Sequence, residues 1–228
     1  MKKLRITAIS DTHSREKKIL WFKDPKNLHS VNVLVHAGDF SHSQKTFDEF
    51  LKWFSEVPGY DYRCLIAGNH DEIVRDIGYN EMRQICHTLG IIYLQDSGTE
   101  IEGVKIWGSP WSNVFGDWAF MMDDFELDQH WQKIPDDTNV LITHGPGYGM
   151  GDEVYQDTVY DNHVGSRTLE MRIRDLKNSG NLKLHISGHI HDSKGEVNTS
   201  DDGKVTFYNA SIMDYWFMPT GVPHVFEV

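Results

Sequence analysis

Along the first ninety residues the chain alternates between two kinds of run. Leu4 to Ser10, His29 to Ala37 and Tyr62 to Ala67 are short, mostly apolar and β-prone, as strands covered on both faces are. Glu16 to Phe22, Gln44 to Ser55 and Glu81 to Leu89 read as helices. In Gln44 to Ser55 the apolar Phe47, Phe50, Leu51 and Phe54 fall at the i, i+3, i+4, i+7 spacing, and Gly90 stops the third helix. This order predicts a parallel sheet with crossover helices. Residues at the carboxyl ends of its strands then meet in space whatever their separation along the chain.

After Gly90 the runs shorten. Ile91 to Leu94, Thr99 to Ile101 and Val104 to Trp107 read as strands, with Gly103 turning a hairpin, and open a second, partly antiparallel sheet. Trp111 to Met122 is rich in aromatics, lacks a clean period and reads as a loop. Asp124 to Lys133 reads as a helix, Asn139 to His144 as a strand and Gly145 to Gly165 as a long loop. Ser166 to Asn178 is a helix that Ser166 is placed to cap. Leu182 to Ser187, Lys204 to Asn209 and His224 to Val228 are closing strands. No repeat, linker or low-complexity tract divides the chain, and residues 1–228 are read as one domain.

Charge narrows the partners. A net charge of −12 opposes broad attraction to nucleic acid or acidic membranes, while leaving room for a local cationic site made by bound metal. No apolar run approaches the roughly 20 residues that cross a bilayer, and Met1 Lys2 Lys3 leads straight into a strand without a signal-peptide core. Cys64 lies in an apolar strand and Cys86 in a helix, so two reduced, buried thiols are expected, in a reducing, cytoplasmic compartment. A monomer or homodimer is expected.

Five strand ends carry the candidate chemistry, in one order: Asp11 and His13; Gly38 and Asp39; Gly68, Asn69, His70 and Asp71; Thr143 and His144; Gly188, His189 and His191. Asp11 and His13 are two apart on a strand end, which predicts side chains on one face and two ligands for one ion. The two oxygens of Asp39 can bridge two ions. Mixed carboxylate, amide and imidazole donors suit Mn, Fe, Zn or Co rather than Ca, and the lack of thiolate ligands argues against a structural zinc site.

The ordered set Asp11-x-His13, Gly38-Asp39, Gly68-Asn69-His70-Asp71, Thr143-His144 and Gly188-His189-x-His191 resembles the calcineurin-like metallophosphoesterase superfamily. Gly108 Ser109 Pro110 Trp111, Trp118 Ala119 Phe120, His144 Gly145 Pro146 and Asn209 Ala210 Ser211 resemble in particular its metallophosphoesterase-domain-containing branch, akin to class III cyclic nucleotide phosphodiesterases. The resemblance implies an α/β fold, a calcineurin-like two-sheet β sandwich flanked by helices in four αββα layers. It implies two divalent ions, manganese first, with Fe, Zn, Co and Ni as the other choices. One ion is held by Asp11, His13 and His191 and the other by Asn69, His144 and His189, with Asp39 and a bridging hydroxide between them. His70 matches the family's catalytic histidine, near the leaving group. Asp71 is a candidate to orient His70, the commoner reading of a carboxylate there being an exposed helix start.

Phosphoprotein phosphatases of this superfamily carry an arginine shortly after the bridging aspartate, where it clamps a phosphate dianion. Here the run is Gly38 Asp39 Phe40 Ser41 His42 Ser43, without arginine. A dianionic monoester needs such a clamp more than a monoanionic diester does, so hydrolysis of a small phosphodiester such as a cyclic nucleotide is expected. A phosphomonoesterase is the alternative, and a nuclease is disfavoured by the charge. An idle metal-binding protein would show eroded ligands, and none is missing.

Other side chains have plainer readings. His36 and His185 are expected as hydrogen-bonded core histidines, and His29, His42, His87, His130, His163 and His224 at surfaces or helix ends, with His42 near enough to Asp39 to touch substrate. Trp111, Phe115, Trp118 and Phe120 are expected mostly to pack, with stacking on a base or aryl group as the other reading. The Gly147 to Gly165 loop is a candidate rim or lid; its Asp152, Glu153, Asp157 and Asp161 read as a solvated, polyanion-repelling set. Tyr215 Trp216 Phe217 reads as a dimer surface or a core edge.

Overall fold

The computed structural model describes residues 3–19, 30–155 and 162–228. In chain order its elements are β1 (Lys3–Ile9), β2 (Ser30–Ala37), α1 (Gln44–Glu56), β3 (Tyr62–Ile66), α2 (Glu72–Ile77), α3 (Tyr79–Thr88) and β4 (Ile92–Tyr93). There follow β5 (Ser97–Ile101), β6 (Val104–Ser109), β7 (Ser112–Asn113), β8 (Met121–Met122), α4 (Asp124–Trp131) and β9 (Val140–Thr143). The last are α5 (Arg167–Ser179), β10 (Leu184–Ser187), β11 (Val197–Thr199), β12 (Thr206–Asn209) and β13 (His224–Glu227).

Strands of one sheet run in the order β13-β1-β2-β3-β4, and those of the other in the order β11-β12-β10-β9-β6-β5. In the first, β1 to β4 are parallel and β13 is an antiparallel edge. In the second, β12, β10, β9 and β6 are parallel, with β11 and β5 antiparallel at the edges. The two-residue alternation of each strand decides which layer each side chain enters. Ile6, Ala8, Val33 and Val35 meet Ile106, Val140, Ile142 and Ile186 between the sheets. On the outer face of the first sheet, Leu34 and Leu65 pack under Phe47, Phe50 and Phe54 of α1 and Met82 of α3. Leu141 and Phe207 of the second sheet pack under Leu127 and Trp131 of α4 and Leu169, Ile173 and Leu176 of α5. The protein is therefore a four-layer αββα sandwich.

Several elements depart from the sequence expectations. Ile92–Tyr93 does not open the second sheet but pairs parallel with β3 at the edge of the first, because Tyr93 packs into the apolar layer beneath α1 and α3. Helix α2, between Asp71 and Gly78, and edge strand β11 carry no periodic signal and escape the pattern. Only a short 3-10 turn, Glu16–Lys18, with Ile19 extended after it, occupies the start of the expected first helix; residues 20–22 and His29 lie outside the described residues, as do Asp157 and Asp161. Cys64 and Cys86 are buried free thiols. No helix among the described residues is long and apolar enough to cross a membrane.

Candidate active site

The parallel strands β1, β2, β3, β9 and β10 all end on one rim of the sandwich, and the loops leaving them carry every site residue expected from the sequence. Asp11 and His13 do not share a face through strand alternation, because β1 stops at Ile9. Both stand in the left-handed region, φ 55° and 44°. Their loop is fixed to the next strand end: Asp11 N donates to Gly38 O at 2.9 Å and His13 N to Asp39 O at 3.0 Å. His189, φ 70°, donates its own N–H to both Asp11 oxygens at 3.1 and 3.0 Å. Gly188 must be glycine, since a Cβ there would stand 2.1 Å from Ser10 Oγ.

Two groups of donor atoms result. In one, His13 Nε2 faces His191 Nε2 at 3.3 Å, and His191 Nε2 lies 3.4 Å from Asp11 Oδ1. In the other, His144 Nε2 lies 2.9 Å from Asn69 Oδ1 and 3.4 Å from Asp39 Oδ1, and His189 joins the same cluster. Asp39 stands between them, its Oδ2 reaching 3.7 Å from His13 Nε2. Donors around one ion with bonds of about 2.1 Å sit roughly 3.0 to 3.4 Å apart, so both groups fit a small divalent ion. Only one proton can lie between two facing imidazole nitrogens, and the buried Asn69 turns its oxygen inward while its Nδ2 has no partner.

Burial and charge pull these groups in opposite directions. Burial holds His13 down at about 4 and His189 at about 3. At His144 burial also opposes charge, but the Asp39 and Asp11 carboxylates outweigh it and raise the imidazole to about 9. His191 is raised against burial by Asp11. Burial works against ionisation of Asp39 and Asp11 as well, yet the adjacent imidazoles keep both below the usual carboxylate range. A negative floor has thus been built to attract cationic charge.

A surrounding layer fixes the tautomers. His144 Nδ1–H donates to Ala37 O at 2.8 Å, which turns the Nε2 lone pair into the site. Gly38 N donates to His36 Nδ1, so His36 Nε2–H donates to Thr12 Oγ1, tying the first two loops together. Thr143 Oγ1 donates to Gly145 O at 2.6 Å and accepts from His185 Nε2 at 2.8 Å. His36 and His185 are fully buried. Asp71 is neither an exposed helix start nor hydrogen-bonded to His70. It is buried, and accepts N–H donors from Gly68, Asp39, Phe40 and Ser41 at 2.8 to 3.0 Å. It thereby clips the Asp39 loop to the Asn69 loop. Burial and Asp39 raise its carboxyl to about 7 against the Gly68 and Ser41 N–H donors.

His70 lies at the mouth, its Nε2 3.9 Å from Asp39 Oδ2 and its ring 4.3 Å from that of Trp118. The sequence places His42 near the site, but its contact is not legible there: its Nε2 meets His13 Nδ1 at 3.0 Å, with the two rings stacked nearly parallel at 8°. The aromatic loop divides. Phe120 is buried and Trp111 packs on it and on His130, whereas Phe115 is 68% exposed beside His189. Phe217 is no core edge; it stands edge-on to His13 and His191. Asp152 is fully buried rather than solvated, and binds Gly149 N, Gly165 N and His163 within its own loop.

A family model described as calcineurin-like phosphoesterase matches residues 4–193. The chain belongs to that family. Metal-dependent phosphoester hydrolysis is the chemistry that membership assigns, and the His and Asp groups above are able to bind the metal. The chain is 30% identical over 253 aligned residues to human metallophosphoesterase domain-containing protein 1, covering 98% of this chain and 71% of that protein. It is 31% identical over 226 residues to UPF0046 protein K07C11.7 of Caenorhabditis elegans, covering 91% and 69%. These relatives place it in the metallophosphoesterase-domain-containing branch. Among solved structures, phosphopantetheinyl hydrolase of Mycobacterium tuberculosis superposes with a TM-score of 0.57 at 15% identity, covering 92% of this chain and 90% of that one. TT1561 of Thermus thermophilus does so with 0.53 at 12% identity, covering 92% and 91%. At those identities the likeness is one of fold.

Proposed function

We propose that this protein hydrolyses small phosphodiesters at a dinuclear metal centre, with the whole chain, residues 1–228, forming one catalytic unit. The observation that carries the reading is Asp39, a buried carboxylate with one oxygen directed at each donor group. Asp11, His13 and His191 would hold one ion and Asn69, His144 and His189 the other. Bound there, such ions supply an activated water and neutralise charge developing on the phosphoryl oxygens.

The chain's own groups do the rest. Ala37 O fixes the His144 tautomer. Asp71 secures the loop that presents Asp39, and the Asp39 carboxylate in turn accepts His70 N–H at 2.8 Å, placing that residue at the mouth. His70 protonates the departing alkoxide, a step worth roughly 10² to 10⁴-fold. Preference for a diester follows from the cleft wall. Its lining among the described residues, which includes Asp39, His70, His189, His191 and Phe217, has no arginine or lysine to clamp a dianion. Arg15 directs its guanidinium at Met218 Sδ.

Two variants in one assay test the proposal. Asp39→Asn should cut hydrolysis by more than about a hundredfold, beyond what loss of an outer partner costs, and lower the bound metal per chain while far-UV circular dichroism stays native. His70→Ala should slow alkyl esters far more than nitrophenyl esters, whose leaving group needs no proton. Full activity in the first variant, or equal losses on both esters in the second, would remove the role concerned.

A further inference from the structure

Beside the cleft lies a second, larger chamber that the metal-centred reading leaves without a role. It encloses about 580 Å³, against about 240 Å³ for the cleft, and the two share Phe115, Val154, His189 and Ile190 as a common wall. Its far side is made by Val114 before Phe115, Pro146 just after His144, and Val164 at the end of the long loop. Among the described residues that line it none is Asp, Glu, Lys or Arg, and His189 is the one titratable side chain. Phe115 stands on the shared wall with its ring centroid 5.4 Å from that of His189, tilted 46°, and is largely exposed.

From this geometry we infer that the chamber holds one arm of the diester, a neutral group bearing an aromatic ring, while the phosphoryl group sits in the adjoining cleft. The inference rests on the proposed phosphodiesterase reading and narrows its substrate class. A charged arm would find no charged side chain among the described lining residues to offset its lost hydration. A methyl-sized arm would leave most of a drug-sized cavity unfilled. A ring meets apolar side chains on several sides and the open face of Phe115, the kind of contact by which aromatic platforms hold stacked bases.

The test is calorimetric, on Mn²⁺-loaded protein, with two monoanions that differ only in this arm and carry no ester bond to hydrolyse: methylphenylphosphinate and dimethylphosphinate. The phenyl compound should bind at least about tenfold tighter. Val164→Trp fills the chamber and should bring its affinity down to that of the methyl compound; Val114→Trp, from another part of the wall, guards against a folding defect in the first variant. Equal affinities in the unaltered protein, or weakening of both ligands alike in both variants, would overturn the inference. Adenosine and phenol as competitors separate a nucleobase from a simple aryl group, and failure of both to compete would also count against it. Bis(p-nitrophenyl) phosphate turnover is followed in parallel. An aryl preference without turnover leaves the chamber standing and removes the enzymatic reading; turnover without preference does the reverse.

Discussion

Asp11, His13, Asp39 and His189 hang from backbone in the left-handed region, at φ 55°, 44°, 59° and 70°. Each such non-glycine residue costs of order 1 to 3 kcal/mol, and the loops hold them through hydrogen bonds between neighbouring strand ends rather than through strand geometry. Histidines outside the ligand set carry part of that load. His36 and His185 are held down at about 3 by burial, from an ordinary value of 6.5. Above pH 6.5 both are neutral folded and unfolded, and neither affects stability. Below it the unfolded chain takes up protons that the folded chain refuses, so stability falls as pH drops toward 3. Between pH 6.5 and 5 each histidine accounts for a loss of about 1.5 kcal/mol. His185→Gln keeps a donor for Thr143 and cannot titrate, so its urea-unfolding free energy should fall less than the parent's by about that amount; parallel pH curves would contradict the burial argument. The kinds of ligand were legible in the sequence because glycine-broken strand ends place them. The backbone that aims them was not: Asp11 and His13 share a site through turns, and Asp71 serves its neighbours' N–H groups rather than His70.

At the scale of elements, α5 shows how a local signal becomes tertiary structure. Ser166 Oγ accepts from Leu169 N at 2.9 Å, the cap read from the sequence. It also donates to Asp124 Oδ1 at 2.6 Å and accepts from Trp131 Nε1 at 3.2 Å, joining α5 to both ends of α4. Ser166→Ala removes the cap and leaves a buried indole N–H unpaired, which should cost about 2 kcal/mol, or roughly 4 to 8 °C in melting temperature. A change below about 1 °C would show that the two helices are held by apolar packing alone. Helices with a long apolar stripe, such as α1 and α5, were readable. The two-residue β4 was readable as a strand but not its sheet, and the three-residue β11 was not readable at all, because the place of such strands is set by what they pack against. For the same reason β13, last in sequence, gave no sign that it pairs with β1.

At the scale of the whole molecule, one rim gathers the candidate ligands from both sheets: Asp11, Asp39 and Asn69 follow strands of the first, His144 and His189 strands of the second. Neither sheet alone completes a donor group around Asp39, so the site depends on the sandwich being closed. The chain carries a formal net charge of −12, and among the described residues that rim gathers buried carboxylates and imidazoles able to hold cations. A negative protein whose cleft has no arginine among its described lining residues is suited to a compact monoanion more than to a dianion or a long polyanion. The most direct measurement is therefore a side-by-side rate comparison on bis(p-nitrophenyl) phosphate and p-nitrophenyl phosphate, using metal-stripped protein resupplied with Mn²⁺. The diester should be turned over with the higher kcat/KM. Faster turnover of the monoester would contradict this reading and require a dianion clamp elsewhere on the rim.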